Sequence, residues 1–361
     1  MTRVIEILIS LAIVFVLFLV VGLVLPSSRY IEEKVETNRK MTIVYDTLNG
    51  FARFKDWNAL PARDPKMKMT ISGPENGVGA QFEYESEKGD VGKGSWKIVR
   101  SESDLIVIQI DNDRQGANKV TQFKLRQTGR GNRNVEITQT YKVDYGMNLL
   151  GRYAGLYVRS HVGEDMKFGL GRLTSMLASI PNVDYKVYGL RLAELGTSNL
   201  PAEHILFVNA GTIPLRDELL TKAMRDNVEW LNRAMASNGL VATGKMRIIT
   251  NEFNSESYTF AVAMPVRRAT EADGVAPTAA LTGLSFAGTP VKYEFVPARR
   301  AASVKFTGSM RELENIHNAL RAWSAPRGLE VTDRAFDVYE SGIDTMFNPD
   351  AQFTAYWPLR G

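Results

Sequence analysis

Nineteen consecutive positions, Ile7 to Leu25, carry no charge, and only Ser10 and Gly22 interrupt their run of Ile, Leu, Val, Phe and Ala. As a helix the run is about 28 Å long, close to the ~30 Å hydrocarbon core of a bilayer. A core helix of a soluble protein would show a polar stripe, and none is present. A cleaved signal peptide would have a shorter apolar region and an A-x-A-like site, whereas Leu25-Pro26-Ser27-Ser28 follows here. The pattern predicts an uncleaved transmembrane anchor over residues 5–26, with the lipid bilayer as its partner.

Two readings of orientation compete. Arg3 precedes the run, and Arg29, Lys34, Arg39 and Lys40 follow it, so the positive-inside rule places the body in the cytoplasm. A six-residue tail before the span and a folded body after it is instead the layout of a signal anchor that exports its C-terminal side. We adopt the second: a single-pass protein of a bacterial inner membrane with a periplasmic body, the cytoplasm being the alternative.

After the anchor the hydrophobic period changes. Arg29–Asn38 alternates as a strand, and Met41–Phe54 has helical spacing through Ile43, Val44, Leu48 and Phe51. Short extended runs follow at Met67–Ser72, Ala80–Glu85, Gly94–Arg100, Leu105–Asp111, Val120–Gln127 and Val135–Val143. Turn formers such as Gly73-Pro74-Glu75-Asn76-Gly77 and Gly129-Arg130-Gly131-Asn132 bound them. A long helical stretch from about Leu149 to Ile180 closes the series, with Leu156, Met166, Leu170, Leu173, Met176 and Leu177 on one side. Antiparallel strands in this order can curl around the long helix and leave a cavity between.

Composition narrows the chemistry. Of 361 residues 44% are hydrophobic and 23% charged, enough to bury a core, and the length suits about two domains beside the anchor. Lys+Arg 44 against Asp+Glu 40 leaves +4 over the whole chain, so no nucleic-acid partner is expected. The absence of cysteine removes disulfides, thiolate metal sites, cysteine nucleophiles and bacterial lipid attachment. Three separated histidines, His161, His204 and His317, supply metal chemistry poorly, so neither metal nor cofactor is expected.

Residues 28–182 resemble the SRPBCC or START-like superfamily, specifically its polyketide cyclase/dehydrase-type members. The likeness rests on Trp57-Asn58, Asp64-Pro65, Gly73 to Ala80, Gly92-Lys93-Gly94-Ser95-Trp96-Lys97-Ile98, Asn148–Leu150 with Arg152, and Gly169-Leu170-Gly171-Arg172-Leu173. It implies a helix-grip domain with a deep apolar cavity for lipids, polyketides or other hydrophobic compounds, in a fold that hosts binders and catalysts alike. Gly77-x-Gly79 and Gly92-x-Gly94 lack the third glycine and the βαβ setting of a phosphate cradle, and hairpin turns explain them better. Trp57 and Trp96 are candidate ligand-binding residues, with plain core packing as the alternative.

Residues 185–361 repeat one order of signals, in copies of about 201–266 and 297–359. Pro201-Ala202 precedes the strand His204–Asn209, which Gly211 ends; Pro297-Ala298 precedes Ala301–Phe306, which Gly308 ends. Amphipathic helices follow over Arg216–Ser237 and Met310–Ser324, each stopping at a Gly-Leu pair. Two strands complete each copy, and the last ends in Pro265 or Pro358. The Ala-, Thr- and Gly-rich stretch Ala269–Gly288 is expected to be a loop.

This duplicated strand–helix–strand–strand unit, closing in Tyr356-Trp357-Pro358-Leu359, is similar to the GyrI-like effector-binding domain, also called SOUL-like. The resemblance implies a cleft between the copies that takes small amphipathic molecules. An acidic residue on a strand of the second copy would match Glu340, with Tyr339 and Trp357 beside it; an exposed strand-end glutamate is the alternative. The family's frequent helix-turn-helix is replaced here by an anchor and another domain.

Catalytic signatures are thin. Gly283-Leu284-Ser285-Phe286-Ala287 fails the G-x-S-x-G pattern at its fifth position, and His204 and His317 lie on different copies. The fold class is therefore α+β: a transmembrane helix, a helix-grip domain and a duplicated GyrI-like domain. The function is non-catalytic binding of a small hydrophobic or amphipathic ligand. The alternatives are a cyclase- or hydrolase-type enzyme using Glu340 as general base, and a ligand-sensing adaptor.

Overall fold

The computed structural model describes residues 2–186 and 192–361. They form an α+β protein with two antiparallel sheets, and each sheet belongs to its own compact unit. The first unit is Met1–Ile180 with Pro326–Gly328, and the second is Pro181–Ala325 with Leu329–Gly361.

The first unit begins with α1 (Thr2–Val24), whose apolar side chains are almost all exposed, and β1 (Ser28–Thr37) follows. α1 is long and apolar enough to cross a membrane by length and composition. Next come α2 (Met41–Leu48), α3 (Phe54–Trp57) and α4 (Ala59–Arg63). The strands β2 (Lys68–Ser72), β3 (Gln81–Glu85), β4 (Lys93–Glu102), β5 (Leu105–Asn112), β6 (Ala117–Thr128) and β7 (Asn134–Asp144) complete a sheet of order β1-β7-β6-β5-β4-β3-β2. Period-two alternation is plain in β6, where Thr121, Phe123 and Leu125 are buried and Gln122, Lys124 and Arg126 exposed.

The expected helix over Met41–Phe54 ends at Leu48. Gly50 lies so close to the 73–77 turn that a Cβ would sit 2.5 Å from Asn76 Oδ1, and Phe54–Trp57 becomes a separate turn. The stretch from Leu149 is likewise segmented. It runs through α5 (Leu149–Ala154), a 3-10 turn (Gly155–Tyr157), a π-helical turn (Arg159–Gly163) and α6 (Glu164–Ala178). Gly151 and Gly155 seat the Tyr145 ring, since a Cβ at either would come within 2.8 Å of it. α6 buries Met166, Leu170, Leu173 and Leu177 against the sheet, as the spacing predicts, whereas Leu156, expected on the same side, falls in the 3-10 turn and is exposed.

α5 also holds the end of α1. Arg152, itself buried, donates through Nη1 to the carbonyls of Leu23 (2.8 Å), Gly22 (3.2 Å) and Leu25 (3.2 Å), and through Nε and Nη2 to Gly146 O. A guanidinium there satisfies helix-terminal carbonyls and complements the helix dipole. Tyr153 donates its hydroxyl to Phe18 O at 2.8 Å and stacks on the Phe18 ring, centroids 4.6 Å apart.

The second unit carries the duplication. β9 (Glu203–Pro214), α7 (Asp217–Asn238), β10 (Leu240–Ala242), β11 (Arg247–Phe253) and β12 (Ser257–Arg268) are one copy, preceded by β8 (Leu192–Leu200). After β13 (Lys292–Val296) come β14 (Arg299–Thr307), α8 (Leu313–Ser324), β15 (Phe336–Tyr339) and β16 (Gln352–Pro358). The sheet order, β13-β9-β12-β11-β15-β16-β14-β8, reads symmetrically about the β11–β15 junction. Each leading strand crosses over: β8 pairs with β14 and β13 with β9. α7 ends at Gly239 in the left-handed region (φ 61), as its Gly-Leu pair predicts. β9 does not stop at Gly211; it continues through a bulge opposite Phe260/Ala261. Residues 269–288 contain neither helix nor strand, as expected.

Candidate functional site

Inside the first unit, aromatic rings fill most of the grip between sheet and helix. Phe54 lies edge-on to Trp57 (5.4 Å) and Trp96 (5.0 Å), and Trp57 edge-on to Phe123 (5.9 Å). What remains is a cavity of about 70 Å³ rather than the deep one that the resemblance implies. Its walls come from Trp57 after the α2 break, Asn58 at the α4 N-cap, Trp96, Ile110, Thr121, Gln139 and Tyr141 on the sheet, and Val162, Asp165 and Met166 from the helical side.

Three polar atoms on this wall find no partner among the described residues: Trp57 Nε1, Trp96 Nε1 and Gln139 Oε1. Their residues are 3%, 8% and 4% exposed, so bulk water does not serve them. Gln139 spends its amide nitrogen on Thr121 Oγ1 (3.3 Å), whose own hydroxyl donates to Thr140 O. Each unpaired buried group of this kind costs about 1–3 kcal/mol. Asp165, on the first turn of α6, takes a 2.6 Å ion pair from Arg63. Burial pushes its carboxyl above the usual aspartate range, and Arg63 works against that rise. Tyr141 is raised to about 12, chiefly by burial, and stays a neutral phenol.

The second unit presents a different site on the sheet face turned away from α7 and α8. Arg247 reaches across β12, where Ala263 leaves room, to a bidentate pair with Glu203 at 2.6 and 2.8 Å. The guanidinium lies 5.2 Å from the Phe336 ring, which stacks on Tyr356 at 5.1 Å, and Arg299 approaches the same ring at 5.9 Å. Nε of both arginines is buried and unpartnered among the described residues. Beside the Glu203–Arg247 pair opens a cleft of about 720 Å³ whose other wall is the 271–281 loop. His204 borders it, shares a 2.9 Å hydrogen bond with the Tyr293 hydroxyl, and is held by burial below its ordinary pKa.

The sequence-predicted residues separate accordingly. Trp57 and Trp96 meet at one cavity. Glu340 sits at the strand end, half-buried, bonded to Lys245 Nζ (2.8 Å) and to Thr354 Oγ1 (2.9 Å). Burial raises its carboxyl, and the Lys245 and Thr354 contacts together outweigh that to leave it below the usual range. Tyr339 turns to the opposite face, where its buried ring meets Phe353 edge-on and its hydroxyl reaches Met310 Sδ. Trp357 also faces α8, against His317 and under Arg321. Gln139, Asp165, Glu203, Arg247 and Phe336 escaped sequence reasoning. A polar residue at an inward position of β7 was the one signal available.

No protein-family profile matches the chain, and no curated protein does. Similar solved structures include norcoclaurine synthase from Thalictrum flavum, 12% identical with a TM-score of 0.34 over 42% of this chain and 94% of that one. The C-terminal domain of EcmrR is 15% identical, TM-score 0.35, over 46% of this chain and 97% of that one. EcmrR in a complex with DNA is 11% identical, TM-score 0.36, over 60% and 86%.

Proposed function

We propose that this chain is a membrane-anchored, non-catalytic binding protein for small hydrophobic or amphipathic molecules. The observation that carries the reading is that three residues lining one largely aromatic cavity, Trp57, Trp96 and Gln139, each keep a buried polar atom (Nε1, Nε1 and Oε1) without a partner among the described residues. Two donors and an acceptor ask for an oxygen-bearing head group such as a hydroxyl beside a carbonyl. The cavity holds the volume of about two waters at ~30 Å³ each, so it admits that head, and a longer tail has to displace side chains. The anchor is α1, whose end Arg152 and Tyr153 build into the domain. In this reading it sits in a bacterial inner membrane with the body on the periplasmic side.

Native mass spectrometry after gentle extraction should show a co-purified lipid or amphipathic molecule. Trp57→Phe with Trp96→Phe should weaken binding of anilinonaphthalene sulfonate roughly ten-fold, since each hydrogen bond contributes about 0.5–1.5 kcal/mol. Unchanged binding would remove the cavity from the function. Turnover of a co-purified molecule that Asp165→Asn abolishes would replace binding by catalysis, because Asp165 is an acid of this cavity.

A further inference from the structure

We infer that α5 and the turns around it lie on the surface of the bilayer that α1 spans, with the apolar side chains there dipping into the lipid. The inference rests on reading α1 as the anchor and adds a second, interfacial contact.

The level of α5 along α1 is fixed. Tyr153 meets α1 at Phe18, Arg152 meets it at Gly22 to Leu25, and a Cβ on Gly22 would already lie 3.3 Å from Leu149 and Tyr153. Phe18 to Leu25 is about 10 Å of helix at ~1.5 Å per residue. If the apolar run to Leu25 fills the hydrocarbon core, α5 therefore occupies its outer edge, at the ~5–10 Å depth where interfacial helices bury their apolar sides.

What the segment presents at that depth is apolar. Met147 is 74% exposed, Leu150 66%, Leu156 51% and Tyr157 64%. Four large hydrophobics exposed within eleven residues are costly in water and favourable among acyl chains and head groups, where tyrosine is enriched. From Tyr145 to Gly163 the chain has no Asp or Glu, while Arg152 and Arg159 are present, so nothing in the segment repels an anionic surface. Continuity with α1 selects the bilayer as occupant over a second protein.

The full-length chain lacks cysteine, so single labels report cleanly. Leu150→Cys, Leu156→Cys, Leu11→Cys on α1, and Lys97→Cys on the outer side of β4 would each carry nitrobenzoxadiazole. The chains would be reconstituted in phosphatidylcholine–phosphatidylglycerol vesicles. Labels at 150 and 156 should shift to the blue and lose about half their emission to nitroxides held near the head groups, as expected at that depth. The label at 11, about 6 Å inside the far edge of the apolar run and about 8 Å from its middle, should be blue-shifted and quenched by nitroxides on the acyl chains. The label at 97 should be quenched by neither set. Quenching at 11 with water-like emission at 150 and 156 would overturn the interfacial contact and leave the anchor standing. Blue-shifted but unquenched labels at 150 and 156 would assign the patch to a protein partner and overturn it equally. No quenching at 11 would overturn the anchor itself.

Discussion

At the scale of single residues, the candidate site is defined by groups left without partners. Gln139→Leu removes one of them at nearly constant volume. It should leave the ligand-free protein as stable as wild type or up to about 1 kcal/mol more stable in urea melts, while ligand affinity falls. A loss of several kcal/mol would mean that Gln139 is structural. Asp165 adds a pH signature. Its folded pKa is raised, so the folded state holds the proton longer than the unfolded chain, and stability falls as pH rises through the aspartate range into the raised folded range. Asp165→Asn should flatten that part of the stability–pH curve; an unchanged slope would assign it to other carboxylates. The buried pair of His317 Nε2 with Asp337 Oδ1, at 2.9 Å, sits on the opposite sheet face from Arg247 and is structural in its setting. Asp337→Ala should cost about 1–3 kcal/mol, because it leaves the buried Nε2 of His317 without its partner.

At the scale of elements, glycines punctuate the folds where a side chain has no room or the backbone turns left-handed. Gly239→Ala places a side chain at φ 61 at the end of α7, and about 1 kcal/mol of thermal stability should be lost. Gly211 has open space around it, but its φ of 75 is set by the bulge in β9, which is why the strand outruns its expected end. The strand periods of the first unit were legible where one face is buried and alternation holds, as in β3, β5 and β6, and less so in β2, which is exposed throughout. Helix interruptions were not: the end of α2 meets a residue distant in sequence, Asn76 against Gly50, and Gly151 and Gly155 of the segmented stretch are packed under the Tyr145 ring, neither of which an apolar period records.

At the scale of the whole chain, the question is whether residues 1–26 stay. Arg152 spends three hydrogen bonds on the carbonyls of Gly22, Leu23 and Leu25, and cleavage would leave its guanidinium with Gly146 O and Met147 Sδ alone among the described partners. Mass spectrometry of protein from native membranes should therefore find the intact N-terminus, and a mature chain starting near Ser27 would refute the anchor.

The sequence by itself determined the apolar run, most strands of the first unit and the repeated strand–helix–strand–strand order of the second, because each is written in local periodicity and turn chemistry; the leading strands β8 and β13 and the helix breaks were not legible. Only the tertiary structure decided which strands pair across the copies, that Tyr339 and Trp357 face the helices while Glu340 meets Lys245, and that Gln139 joins two tryptophans at one small cavity. Strand crossover and side-chain convergence depend on contacts between residues dozens to more than a hundred positions apart. No local period encodes those contacts; they are fixed when the sheets close and each buried polar group either finds a partner or is left waiting for one.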